Sequence, residues 1–160
     1  MFTNIERDIM IDYTLYAITD RAWLKPGEEL ADAVEQAILG GATIVQLREK
    51  HLSGAALEEE ARSVQAVCRK HGVSFIVNDD VALAKKIDAD GVHVGQSDME
   101  LTEARKILGP EKIIGVTAKT IELAQAAQQN GATYLGSGAV FGTSTKLDAK
   151  PMDHELLDAI

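Results

Sequence analysis

The chain has 160 residues, 46% of them apolar, and a formal net charge of -9; that length suits one domain with a real core, large enough for an enzyme. An acidic chain lacks the basic face that nucleic acid or an anionic membrane rewards, so neither is expected as its main partner. No apolar run approaches the roughly 18 residues of a membrane span and the polar start is not a secretory signal, which points to a cytoplasmic protein.

Short β-branched runs at 15–19, 43–47, 74–77, 91–94, 113–116 and 134–138 read as strands. Helix-period segments fill the gaps at 32–39, 57–70, 81–87, 102–108 and 121–129, and 153–160 looks like a sixth helix starting. Gly40-Gly41, Gly72, Gly109 and Gly131 each follow a helical stretch, as left-handed caps would. The strand ends near Ile18, Gln46, Val77, Val94, Val116 and Gly138 lie 28, 31, 17, 22 and 22 residues apart, a βα repeat without a linker. Cys68, the only cysteine, falls among helical residues and reads as a semi-buried thiol rather than a nucleophile.

Such alternation gives parallel strands, in an open doubly wound sheet or in a closed barrel. An open sheet gathers its chemistry at one switch point, whereas a barrel draws it from many strand ends. Here polar turns follow nearly every strand: Asp20-Arg21, Gln46 to Lys50, Asn78 to Asp80, Gly95 to Asp98, Thr117 to Lys119 and Thr143 to Lys146. No Gly-x-Gly-x-x-Gly or Walker loop supports a nucleotide fold. The expected architecture is therefore an α/β TIM (β/α)8 barrel, a single domain over residues 1–160 that carries about six βα units and lacks the last two.

Strand alternation sends Gln46, Arg48 and Lys50 one way and Leu47 and Glu49 the other, so three donors converge where an anion would sit. Arg supplies a planar fork and Lys a point charge, a pairing suited to a diphosphate. Asn78-Asp79-Asp80 and Gly95-Gln96-Ser97-Asp98 end adjacent strands about 5 Å apart, so Asp79 or Asp80 can share a cation with Asp98. Oxygen donors without a cysteine or histidine pair suit Mg²⁺ rather than zinc. Asp79 or Asp80 could equally cap the following helix. Thr143, Ser144 and Thr145 with Lys146 make a hydroxyl-rich anion loop, although such residues are ordinary loop material. Thr117 adds a hydroxyl at the end of the fifth strand, where a threonine also begins turns. His93 lies between Val92 and Val94, facing opposite to them and into the barrel as a packed, hydrogen-bonded ring.

In order along the chain, Tyr16-Ala17-Ile18-Thr19-Asp20, Gln46 to Lys50, Asn78-Asp79-Asp80, Gly91-Val92-His93-Val94-Gly95-Gln96-Ser97-Asp98 and Gly142 to Lys146 resemble the thiamine phosphate synthase family. The resemblance implies a Mg²⁺-dependent transferase that joins a hydroxymethylpyrimidine diphosphate to a thiazole phosphate, releasing pyrophosphate through a pyrimidine carbocation. It implies that Gln46, Leu47, Arg48, Glu49, Lys50 and Asn78 surround the pyrimidine diphosphate and that Asp79 and Asp98 bind Mg²⁺. It also implies Thr117 and Lys146 on the diphosphate and Thr143 to Thr145 on the second substrate, with Arg48, Lys50, Lys146 and Thr117 as the catalytic set. Two departures stand out: Thr117 where a serine is expected in many members, and residues 139–142 where the family's loop carries more proline. Two other readings fit the same pattern, a thiazole tautomerase-like relative and a non-catalytic or inactive phosphate-ligand binder. The oligomeric state leaves no trace in the sequence, a homo-oligomer being one option.

Overall fold

The structure is a computed structural model and describes residues 11–141 and 151–160. Six parallel strands, β1 (Tyr16–Ile18), β2 (Ile44–Leu47), β3 (Ser74–Asn78), β4 (Gly91–Val94), β5 (Ile113–Thr117) and β6 (Tyr134–Gly136), form one sheet in sequence order. Between them run α1 (Leu30–Leu39), α2 (Gly54–His71), α3 (Val81–Lys86), α4 (Leu101–Leu108) and α5 (Ile121–Gln129), and α6 (His154–Ala159) follows. Each expected element is present, with ends shifted by three residues at most. This is the curled, sequential sheet of a partial (β/α) barrel, and β1 and β6 are its two margins.

Both faces of the sheet are covered, which explains why Ile44, Val45, Gln46 and Leu47 are all buried despite their alternation. Val45, Leu47, Phe75, Val77, Val92, Val94, Ile114 and Val116 point outward and pack with Leu30, Val34, Val64, Ala104 and Leu108 of the helices. Phe75 is fully buried in that layer, where truncation to alanine costs about 3–5 kcal/mol. The concave face is smaller and begins with Ile44, Ile76 and Ile113 beneath Tyr16 and Tyr134. Among the described residues no helix is long and apolar enough to cross a membrane.

The closed end of the sheet is held by Arg105 of α4, whose Nη1 donates to the carbonyls of Gly109, Pro110 and Lys112 and whose Nη2 reaches the Gly131 carbonyl at 3.1 Å. Five guanidinium donors allow one side chain to gather separate loops in this way. Gly72 is the left-handed cap expected after α2, at φ 68. In the Gly40-Gly41 pair Gly40 keeps right-handed helical angles and Gly41 takes the positive φ, at 110; Gly131 has φ 82, and Gly109 sits at φ 95, ψ 172, outside the left-handed helical well.

Candidate functional site

The site lies at the C-terminal strand ends, where register sets which side chains meet. Gln46 pairs with Ile76, Asn78 with His93, and Thr117 with Gly136. All share the parity of Ile44 and Ile113, so Gln46, His93 and Thr117 face the concave interior. Gln46 is 3% exposed and donates from Nε2 to the Tyr16 hydroxyl at 2.9 Å. His93 Nε2 and Thr117 Oγ1 are 2.9 Å apart, which places the histidine inside the barrel as its alternation required.

The two neighbouring aspartates at the end of β3 differ in what they do. Asp80 takes the capping role, accepting the Leu83 N–H at 2.8 Å and starting α3. Asp79 therefore does not cap; its backbone lies in the left-handed region at φ 62, and Asn78 Nδ2 donates to its carboxylate at 2.6 Å. Its carboxyl reaches hydrogen-bonding contact with Asp98, the acid at the end of the next strand. Partial enclosure of that carboxyl first, then the hydrogen bond and charge of Asp98, push Asp79 up to about 6, with Asn78 and the nearby Arg48 pulling the other way. Asp98 Oδ2 accepts the Gly95 N–H at 2.7 Å. Two carboxyls brought together from adjacent strand ends form an oxygen-donor pair of the sort a divalent cation would bridge.

The β2 strand ends at Leu47, so Arg48, Glu49 and Lys50 are held by contacts rather than by pleat. Thr19, at the end of β1, accepts the Arg48 N–H at 2.9 Å. Glu49, its side chain only 2% exposed, takes Arg21 Nε at 2.8 Å, and its other oxygen takes the N–H groups of Lys50 and His51 at 2.8 and 2.9 Å. Arg21 Nη2 continues to Glu60 of α2 at 2.8 Å. Burial raises the Glu49 carboxyl, but Arg21 and the two amides outweigh it and leave it below its ordinary value. Leu47 packs outward in the core, and Glu49 braces the loop that carries Arg48 and Lys50. Lys50 is exposed. Thr143, Ser144, Thr145 and Lys146 lie outside the described residues.

Reading the strands one by one passed over Thr19, Arg21 and Tyr134 as supports. Their signal was present for Tyr134, which has the same inward parity as His93; the Arg21–Glu49 pair joins residues 28 apart and no local pattern announces it.

By fold and by the polar groups gathered at its strand ends, the chain is a (β/α)-barrel enzyme. The profile of the thiamine monophosphate synthase family matches residues 15–160. A thiamine-phosphate synthase of Clostridium acetobutylicum is 49% identical over 150 residues, covering 94% of this chain and 71% of that protein. The chloroplastic thiamine biosynthetic bifunctional enzyme TH1 of Arabidopsis thaliana is 52% identical over 136 residues, covering 84% of this chain and 26% of its own length. Among solved structures, a thiamine phosphate pyrophosphorylase from Pyrococcus furiosus superposes with a TM-score of 0.78 at 38% identity, covering 89% of this chain and 66% of that one. The chain belongs to the thiamine monophosphate synthase family, a family of transferases.

Proposed function

We propose that this chain condenses 4-amino-2-methyl-5-hydroxymethylpyrimidine diphosphate with a (carboxy)thiazole phosphate, giving thiamine phosphate and pyrophosphate. The observation that carries the reading is the carboxyl pair Asp79–Asp98 from adjacent strand ends, close to Arg48 and above the inward-facing Gln46 and Thr117. The pair's hard oxygen atoms fit Mg²⁺, which commonly takes one or two carboxylates and fills its shell with water and phosphate. Among the described residues no set of three or more His, Cys, Asp or Glu side chains converges, so the donor set offers an open site rather than a cage. Bound there, the cation would supply charge neutralisation for a diphosphate.

The remaining work falls to side chains. Arg48 and Lys50 bind the diphosphate as fork and point charge, Lys146 and Thr117 add to it, and Asn78 and Gln46 orient the pyrimidine. Together they favour departure of pyrophosphate, leaving a pyrimidine carbocation for the thiazole nitrogen to attack. Thr143, Ser144 and Thr145 hold the thiazole phosphate. No protein nucleophile is needed, so no activated serine or cysteine is assigned. The substrates are small molecules, and the reading assigns a cytoplasmic location without nucleic-acid or membrane partners.

The test is pyrophosphate release by the purified full-length protein with both substrates, with Mg²⁺ and with excess chelator. Stoichiometric pyrophosphate and thiamine phosphate, only with the metal, is the expected result. A folded protein that forms neither product under any metal condition overturns the reading and favours the non-catalytic binder.

A further inference from the structure

Five polar side chains from five strands join end to end across the concave face. Gln46 Nε2 donates to the Tyr16 hydroxyl at 2.9 Å, the Tyr16 and Tyr134 hydroxyls meet at 2.6 Å, Tyr134 reaches His93 Nδ1 at 3.0 Å, and His93 Nε2 reaches Thr117 Oγ1 at 2.9 Å. Glycines make the room for the two central rings. A Cβ at Gly115 would lie 2.5 Å from Tyr134 Cε1, and one at Gly136 would lie 2.8 Å from His93 Cε1. Both rings thus lie directly over glycine backbone, in space that any larger residue would fill.

The links constrain one another because each hydroxyl has a single proton. A Tyr16 oxygen that accepts from the Gln46 amide passes its own proton toward Tyr134, and Tyr134 passes its proton toward Nδ1. A neutral imidazole that accepts at Nδ1 carries its hydrogen on Nε2 and donates it to Thr117 Oγ1. The Thr117 proton is then directed away from His93. Burial first, and then Tyr16, push the Tyr134 phenol well above its ordinary 10.0, which keeps it a donor. If the Gln46 amide turns over, every arrow reverses, and Thr117 spends its proton on His93 and offers a ligand only lone pairs.

We propose that this chain is a polarity relay, in which Tyr16, Tyr134 and His93 are positioning residues that let the amide orientation of Gln46 set Thr117 as a hydrogen-bond donor. The proposal rests on the reading that Gln46 and Thr117 face the substrate. A ligand bearing an exocyclic amino group holds Gln46 Oε1 as acceptor and keeps Nε2 on Tyr16. The relay then presents Thr117 as a donor, the polarity that a diphosphate oxygen requires. A ligand with a carbonyl in place of the amino group asks for the opposite amide orientation and turns Thr117 the wrong way. The relay therefore selects an aminopyrimidine over its deaminated analogue at a distance from the atom that differs.

Nitrogen-15 NMR of histidine-labelled protein, with His93→Asn identifying the resonances, reads the relay without any turnover. In protein holding the aminopyrimidine diphosphate alone, the expected result is a neutral His93 with hydrogen on Nε2; hydrogen on Nδ1 in that complex overturns the proposal. Kinetics give the second reading. Thr117→Val and Tyr134→Phe are each expected to lower kcat/KM by about 10- to 100-fold, and the double variant to fall little below Thr117→Val alone. Fully multiplicative losses, or an unaffected Tyr134→Phe, overturn it. Should Tyr134→Phe fail to fold, Tyr16→Phe cuts the same chain one link earlier and is read in the same way. The expected tautomer in a protein inert toward both substrates would sustain the relay and remove the synthase reading. The opposite tautomer in an active enzyme would do the reverse.

Discussion

Replacing Arg21 with methionine tests whether the brace beneath the cationic loop is electrostatic. Glu49 is almost wholly enclosed, and the substitution keeps the aliphatic stem while removing one charged donor at 2.8 Å from it and another at 2.8 Å from Glu60. A hydrogen bond to a charged group contributes about 1.5–3 kcal/mol, and because Arg21 is 36% exposed water competes for part of that. We expect a loss of about 1–3 kcal/mol at pH 7.5, read by urea unfolding followed by circular dichroism. The pH dependence fixes the cause. In the natural chain Glu49 lies below its ordinary 4.5, so its contribution is present above that value and lost as pH falls through the folded one. Without Arg21 burial is opposed only by the two amides and the carboxyl rises relative to the natural chain; the stability gap between the two proteins should then narrow as pH falls through the two folded-state values. Arg21→Met combined with Glu49→Gln should recover part of the loss. A gap below about 0.5 kcal/mol at pH 7.5, or one that does not change with pH, refutes the reasoning.

Three further outcomes follow from the same coordinates. With Asp79 raised to about 6, Mg²⁺ held as proposed would have to displace a proton below that pH; calorimetric affinity should then weaken about tenfold from pH 7.5 to pH 5, and Asp79→Asn should abolish both the pH slope and most of the binding. Gly115→Ala drives a methyl into the Tyr134 ring and disturbs its bonds to Tyr16 and His93, so thermal melts should show a loss of about 2–4 kcal/mol, and a tolerated alanine would contradict the packing. Burial, with the Asp90 carboxylate adding to it, pushes the Cys68 thiol up to about 12, so disulfide reagents at pH 8 should label it only as fast as the protein unfolds; rapid native labelling would show the helix face to be open.

What the sequence disclosed was whatever strand parity controls. The inward turn of Gln46 and His93, the outward turn of Leu47 and the adjacency of the Asp79 and Asp98 strand ends all follow from a period of two and a parallel order. Parity stops where a strand stops. Beyond Leu47 the directions of Arg48, Glu49 and Lys50 are set by Thr19, Arg21 and backbone amides, partners that only the folded register brings near. The choice between Asp79 and Asp80 as helix cap was likewise invisible, because it depends on one residue entering the left-handed region. Gly109 likewise departs from the left-handed helical well, in a loop whose carbonyls take Arg105, a partner the local sequence pattern does not reveal.

The hydroxyl contact between Tyr16 and Tyr134 links residues 118 positions apart and ties the first strand to the sixth. A sheet of the first five strands alone would therefore lack the middle of the polar chain. Once the sixth strand arrives, a single ring supplies the contacts to Tyr16 and His93 together. The last strand of the sheet is in this way the one that connects the hydroxyl of the first strand to the imidazole of the fourth.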